Sequence, residues 1–188
     1  IDKNIFLADY RQNFKGNTGT EYEWYLWEFP IDISCIKKCN NKLYLGDLEG
    51  NIYFLDGFND DGQSINSYWT TPLDTFSYMN HLKTINKRGA IAKIKNMQNG
   101  RIKIAEKTNK NENYTLIKEV SGTGFSFNNF DFSNLNFSSL DNSYIVFRIK
   151  EKKIIDISIK VYSDELNKPF GLISLSLEAF IGGYVKRS

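Results

Sequence analysis

The sequence predicts an all-β protein, and three observations carry that expectation. Aromatic residues make up 15% of the 188-residue chain, with 14 Phe and 11 Tyr, types that suit pleated and half-buried surfaces. Apolar residues recur with a period of two over most of the chain, and no stretch keeps the 3.6-residue period of an amphipathic helix. Clusters of Gly, Asn and Asp separate the alternating runs at short intervals, the pattern of a sandwich or barrel. Helix is expected in less than about 10% of the chain on this pattern.

The elements follow in order. "EYEWYLWEFPIDISCI" (21–36) is an aromatic β run with partial alternation. "NKLYLGDLEGNIYFLDG" (41–57) reads as a hairpin. Leu43 and Leu45 share one face of its first strand, "GDLEG" makes the turn, and Gly50 is suited to positive φ. Ile52 and Phe54 share a face of the second strand, with Tyr53 and Leu55 on the other. "DGFNDDGQSINS" (56–67) is a polar loop dense in turn formers. Tyr68–Thr71 makes one more short strand before Pro72, which has no N–H to continue a ladder.

From Asp74 to Lys87 the alternation fades. It returns in "AIAKIK" (90–95), "RIKIAEK" (101–107) and "YTLIKEV" (114–120). "GFSFNNFDFSNLNF" (124–137) alternates longer, with parity slips that suggest bulges. "SYIVFRIKEKK" (143–153) and "IIDISIKVYSD" (154–164) read as successive long strands, and "GLISLSLEAFIGGYVK" (171–186) as the last. The change of pattern places one β unit at 1–72, a joint at 73–89 holding Met79 and His81, and a sandwich at 90–188.

The chain is long enough to bury a real core, and its formal charge of +2 gives only a weak overall field. No apolar run approaches the roughly 18 residues of a membrane-spanning helix, and no membrane partner is expected. Cys35 and Cys39, four apart on a strand, are about 13 Å apart, too far for a disulfide, so free thiols are expected.

Motifs for catalysis, metals and cofactors are sparse. A Ser–His–Asp or Cys–His arrangement has to converge on the single histidine, His81, which is expected instead to be a structural residue near a domain joint. No local pattern selects two of the 22 carboxylates as a glycosidase pair. "GFNDDG" ends like a calcium loop, but Gly57 and Tyr68 stand where acids are required. Phosphate-binding glycine spacings are absent, so neither a metal nor a cofactor is expected. Asn113-Tyr-Thr115 and Asn136-Phe-Ser138 match glycosylation acceptors, as chance allows in an Asn-rich chain.

One constellation stands out. From His81 to Ala105 there are seven basic residues and no acids. If 90–95 and 101–107 pair as a hairpin over "NMQNG", Lys93, Lys95, Arg101 and Lys103 share one face with Ile91, while Ala92, Ile94, Ile102 and Ile104 point inward. Such a face suits a phosphate-bearing partner such as double-stranded DNA, with charge reversal of the four cations abolishing binding and leaving melting intact or higher. The plainer reading is a solvated face whose charges are screened, or neutralised by acids such as Glu119.

"KLYLGDLEGNIYFLDG" resembles a β-propeller blade. Together with "YWTTPLDTFSYMNHLKT", "RGAIAKIK" and "FIGGYVKR", the chain resembles the C-terminal part of tailed-bacteriophage propeller proteins of the virion-stabilisation, head–tail connector or nozzle type. The resemblance implies a blade-like propeller fragment followed by an antiparallel β-sandwich, with Tyr68–Thr71 as a closing blade strand. It also implies a non-enzymatic part of the virion tail or neck, assembled in the bacterial cytoplasm. Its partners are then copies of itself and other virion proteins, and packaged double-stranded DNA through the basic hairpin. The alternative is a carbohydrate- or cell-surface-binding module, adhesin-like, with Trp24, Trp27 and Trp69 as a sugar platform. An enzyme is not expected, a glycoside hydrolase fragment being its least implausible form, given the lone histidine and the absence of a recognisable motif.

Overall fold

A computed structural model of the chain describes residues 3–16, 19–85, 90–95, 100–121 and 143–185. The described residues form only antiparallel strands, with no helix and no closed sheet. The aromatic run 124–137, Lys87, Arg88 and the acceptor match at Asn136 lie outside the described residues. Contacts divide the chain into two compact units, Ile1–Gly57 and Phe58–Ser188.

In the first unit, β1 (Asn4–Gly16) and β2 (Gly19–Glu28) pair as a long two-stranded ribbon. Strands β3 (Ile33–Cys39), β4 (Lys42–Asp47) and β5 (Ile52–Phe54) form a three-stranded sheet. Asn40 and Asn41 join β3 to β4 with φ of 47° and 62°, the double positive φ of a type I′ turn, which Asn tolerates. The β4–β5 turn is built on Asp47. Its carboxylate accepts hydrogen bonds from the Glu49 and Asn51 amides, the Asn51 side chain and the Tyr53 hydroxyl. Led by the Asn51 side-chain donor, these bonds hold the Asp47 carboxyl below its ordinary pKa. Gly50 has φ 93°, the conformation expected of it. Cys35 and Cys39 are exposed and unbonded to each other. Among the described residues only two apolar side chains of this unit are buried, Ile33 and Leu45.

The second unit holds the core. The expected polar loop forms a small hairpin, β6 (Asn59–Asp60) with β7 (Gln63–Ser64), turning at Asp61 and Gly62 with φ 45° and 81°. Strand β8 (Ser67–Thr70) ends before Pro72, and the chain makes one more bridge at Asp74. The expected boundary at 72 is not where contacts divide. β8 pairs with β15 (Ile157–Ser163), and Thr71 and Asp74 donate their amides to Ile159 and Ile157. The expected joint also contains a core strand, β9 (His81–Ile85). Its side-chain mixture hides the alternation because an inward position holds a lysine, Lys83.

The remaining strands are β10 (Ala90–Lys95), β11 (Arg101–Thr108), β12 (Asn111–Ser121), β13 (Ser143–Phe147), β14 (Lys152–Ile154), β16 (Gly171–Ser176) and β17 (Ala179–Tyr184). One sheet runs β12-β11-β15-β8, and two three-stranded sheets run β13-β10-β16 and β14-β9-β17. The last two share a pattern. The segments 81–95, 143–154 and 171–184 each give one strand to each sheet, and in both sheets the strand from 81–95 lies between the other two. The expected single strands 143–153 and 171–186 are therefore broken, at Arg148–Glu151 and Leu177–Glu178, where the backbone leaves one ladder and enters another. Inward residues of all three sheets fill one apolar cluster, including Ala92, Ile94, Ile104, Phe147, Ile154, Ile159 and Val161.

Candidate functional site

The outer face of the sheet β12-β11-β15-β8 groups aromatic and charged side chains. Alternation along β15 explains it. Ile157, Ile159 and Val161 turn into the core, so Lys160 and Tyr162 turn outward. Pairing sets Tyr162 between Tyr68 of β8 and Lys103 of β11, and Lys160 between Thr70 and Ala105. Lys160 Nζ lies 4.5 Å from the Tyr68 ring centroid, 5.3 Å from Tyr162 and 5.7 Å from Tyr114 of β12.

The cage is held from behind. The Ser158 hydroxyl donates to the Thr71 carbonyl at 2.7 Å, so it accepts from the Tyr114 hydroxyl at 2.8 Å. Lys103 Nζ sits 5.7 Å from the Tyr162 centroid on the other side.

The four cations expected on one hairpin do not meet there. β10 pairs with β13 and β16, whereas β11 pairs with β12 and β15, so the two strands belong to different sheets. The parity holds all the same: Ala92, Ile94, Ile102 and Ile104 are all buried. Alternation tells which way a side chain points but not which strand lies beside it. Here both inward faces enter the same core from separate sheets. Lys93 is half-buried on β10, and the side chain of Lys95 lies outside the described residues. Lys103 pairs with Asp164 at 2.8 Å. Arg101 pairs with Glu165 and, at 3.5 Å, with Glu119, the acid expected to neutralise it. These hydrogen bonds hold the Asp164 and Glu165 carboxyls below their ordinary range.

Trp24 and Trp27 do not share a platform. On β2, Trp24 stands opposite Ala8 and Trp27 opposite Ile5, three residues apart and so on opposite faces of the ribbon. Trp69 belongs to β8 of the second unit.

His81 is a packing residue in its recorded contacts. Its Nδ1 donates to the Gly182 carbonyl at 2.9 Å, and the Tyr78 and Tyr184 rings lie 5.7 and 4.2 Å from its own. A carboxyl that sequence reading passed over is Glu106. It faces inward opposite Ile159, and its Oε2 is shut off from solvent without a hydrogen-bond partner among the described residues. Burial, with the nearby Glu151 charge, pushes its pKa up to about 7. The position was legible: 106 continues the inward parity of Ile102 and Ile104. Among the described residues no group of three or more His, Cys, Asp or Glu is placed to hold a metal ion.

No protein-family model matches the chain, and no curated protein sequence matches it.

Proposed function

We propose that the chain is a non-enzymatic structural module of a tailed-phage virion, in the tail or neck, working through contacts with copies of itself and with other virion proteins. The observation that carries this reading is the first unit, where Ile33 and Leu45 are the buried apolar side chains among the described residues. A two-stranded ribbon and a three-stranded sheet cannot stand on so small a core.

The ribbon also offers a surface to match. Phe6 pairs with Leu26 and Ala8 with Trp24 on one face, and Phe6, Leu26 and Trp24 are 69%, 52% and 64% exposed. With Tyr10 and Tyr22 also exposed, and at 150–250 Å² per aromatic side chain, each copy offers about 500 Å² of apolar area. Two copies joined there bury about 1,000 Å², the lower bound of a specific interface. The sheet β3-β4-β5 with its Gly-containing turn suits a propeller blade, which buries its faces against neighbours. The shared core of the second unit suits a β-sandwich.

The test is the mass of the 188-residue chain in solution by sedimentation. Self-association at micromolar concentration, lost in Trp24→Glu with the second unit still folded, is the expected result, together with the chain's presence in purified particles. A monomer whose first unit is nonetheless protected from hydrogen exchange overturns the reading.

A further inference from the structure

We propose that the outer face of the sheet β12-β11-β15-β8 binds an acidic glycan, with Lys160 receiving a sugar carboxylate and the Tyr68 ring stacking against a sugar ring. The inference stands on the second unit alone and does not depend on the assembly reading.

The first ground is the state of Lys160. Two neighbouring cations of this face are spent, Arg101 on Glu165 and Glu119 and Lys103 on Asp164, whereas Lys107, opposite Ser158, shares the outward parity of Lys160. Among the described residues no carboxylate lies within ion-pair distance of Lys160, and its ammonium donates to no oxygen; its contacts are with rings. Three tyrosine rings stand around it instead. Ring faces attract a cation but accept no strong hydrogen bond, so the ammonium keeps its donors for an incoming oxygen.

The second ground is preorganisation. Tyr114 is tethered through Ser158 to the Thr71 carbonyl, and Tyr162 lies between Lys160 and Lys103. Little ordering cost is left for binding. Tyr68, on an edge strand, is 58% exposed and presents an apolar ring with a polar tip, the surface that the C–H face of a sugar covers.

Charge decides between glycan and nucleic acid. A polyphosphate gains affinity by meeting several cations at once. Here Glu119, Asp164 and Glu165 stand on the same side of the sheet and take up Arg101 and Lys103. A ligand with isolated carboxylates separated by neutral rings fits that distribution, and a uronic acid polymer has this form.

The experiment titrates the intact chain with oligogalacturonate, with neutral galacto-oligosaccharide and with oligothymidylate, by calorimetry and tyrosine fluorescence. Binding of the uronate alone is expected, weakened at least tenfold by Lys160→Met and by Tyr68→Ala, and unchanged by Lys42→Met in the first unit. Far-ultraviolet dichroism and sedimentation verify that the variants keep fold and oligomeric state. Binding of oligothymidylate in preference to uronate, binding of the neutral sugar equally well, binding that survives both substitutions, or no binding at all each overturns the proposal.

Discussion

Lys83, 1% exposed at the centre of β9, donates from its Nζ to the carbonyl of Ile155 at 2.7 Å and also to that of Tyr78. Burial lowers its pKa, and the charges of Asp156 and Asp74 only partly restore it. The charged lysine is thus held at a cost, while its aliphatic stem fills core volume. Lys83→Met is expected to stay within about 1 kcal/mol of the parent, the lost carbonyl bonds offsetting the relief of desolvation. Lys83→Ala is expected to lose about 3 kcal/mol through the added cavity. The folded pKa lies below the unfolded one, so the unfolded state binds more protons in between, and stability rises with pH towards the ordinary lysine value. Urea titrations of both variants, and of the parent at alkaline pH, check this.

Glu106 gives the opposite pH signature near neutrality. Its folded pKa of about 7 lies above the ordinary 4.5, so the folded state holds the extra proton between those values. Stability therefore falls as pH rises from about 4.5 to 7 and is level above. The loss is on the order of 2 kcal/mol after allowance for the solvent that still reaches the side chain. Glu106→Gln is expected to melt higher than the parent at pH 8 and to match it at pH 4.5. Equal differences at the two pH values refute the assignment.

Reversing Arg101 and Lys103 is expected to lower the melting temperature. On a hairpin face of four unpaired cations, charge reversal is expected to leave melting intact or higher. In the structure Arg101→Glu faces Glu119 and Glu165, and Lys103→Glu faces Asp164, so attraction becomes repulsion. The fall should shrink in high salt, because these pairs are solvent-exposed. A rise in melting temperature at low salt contradicts the ion pairing.

The adjacent glycines of β17 should respond differently. A Cβ at Gly182 comes within 3.1 Å of the Leu82 carbonyl oxygen, part of the backbone, whereas one at Gly183 meets nothing within 4 Å. Gly182→Ala is expected to cost about 1–3 kcal/mol as overpacking and to disturb the His81 hydrogen bond to the Gly182 carbonyl. Gly183→Ala should be close to neutral. Denaturation midpoints separate the two.

Much of this was legible from residues alone. Alternation told that Ala92, Ile94, Ile102 and Ile104 face inward, and the same parity places Glu106 inside and Lys160 outside. Gly50 and Pro72 marked a turn and a stop for local steric reasons. The ribbon strand β1 escaped notice, and Lys83 broke the pattern of β9 because a charged residue occupies a core position.

By itself, then, the amino-acid order determined strand character, the inward or outward sense of each side chain and several turns, because these depend on a residue and its immediate neighbours. Tertiary structure alone decided that β8 joins β15, that β10 and β11 part company, and that three segments each give strands to two sheets. It also gathered Tyr68, Tyr114 and Tyr162 around Lys160 from strands as far apart as 68 and 162. Partner choice is a competition among distant segments for the same core, and a period of two carries no information about who wins it.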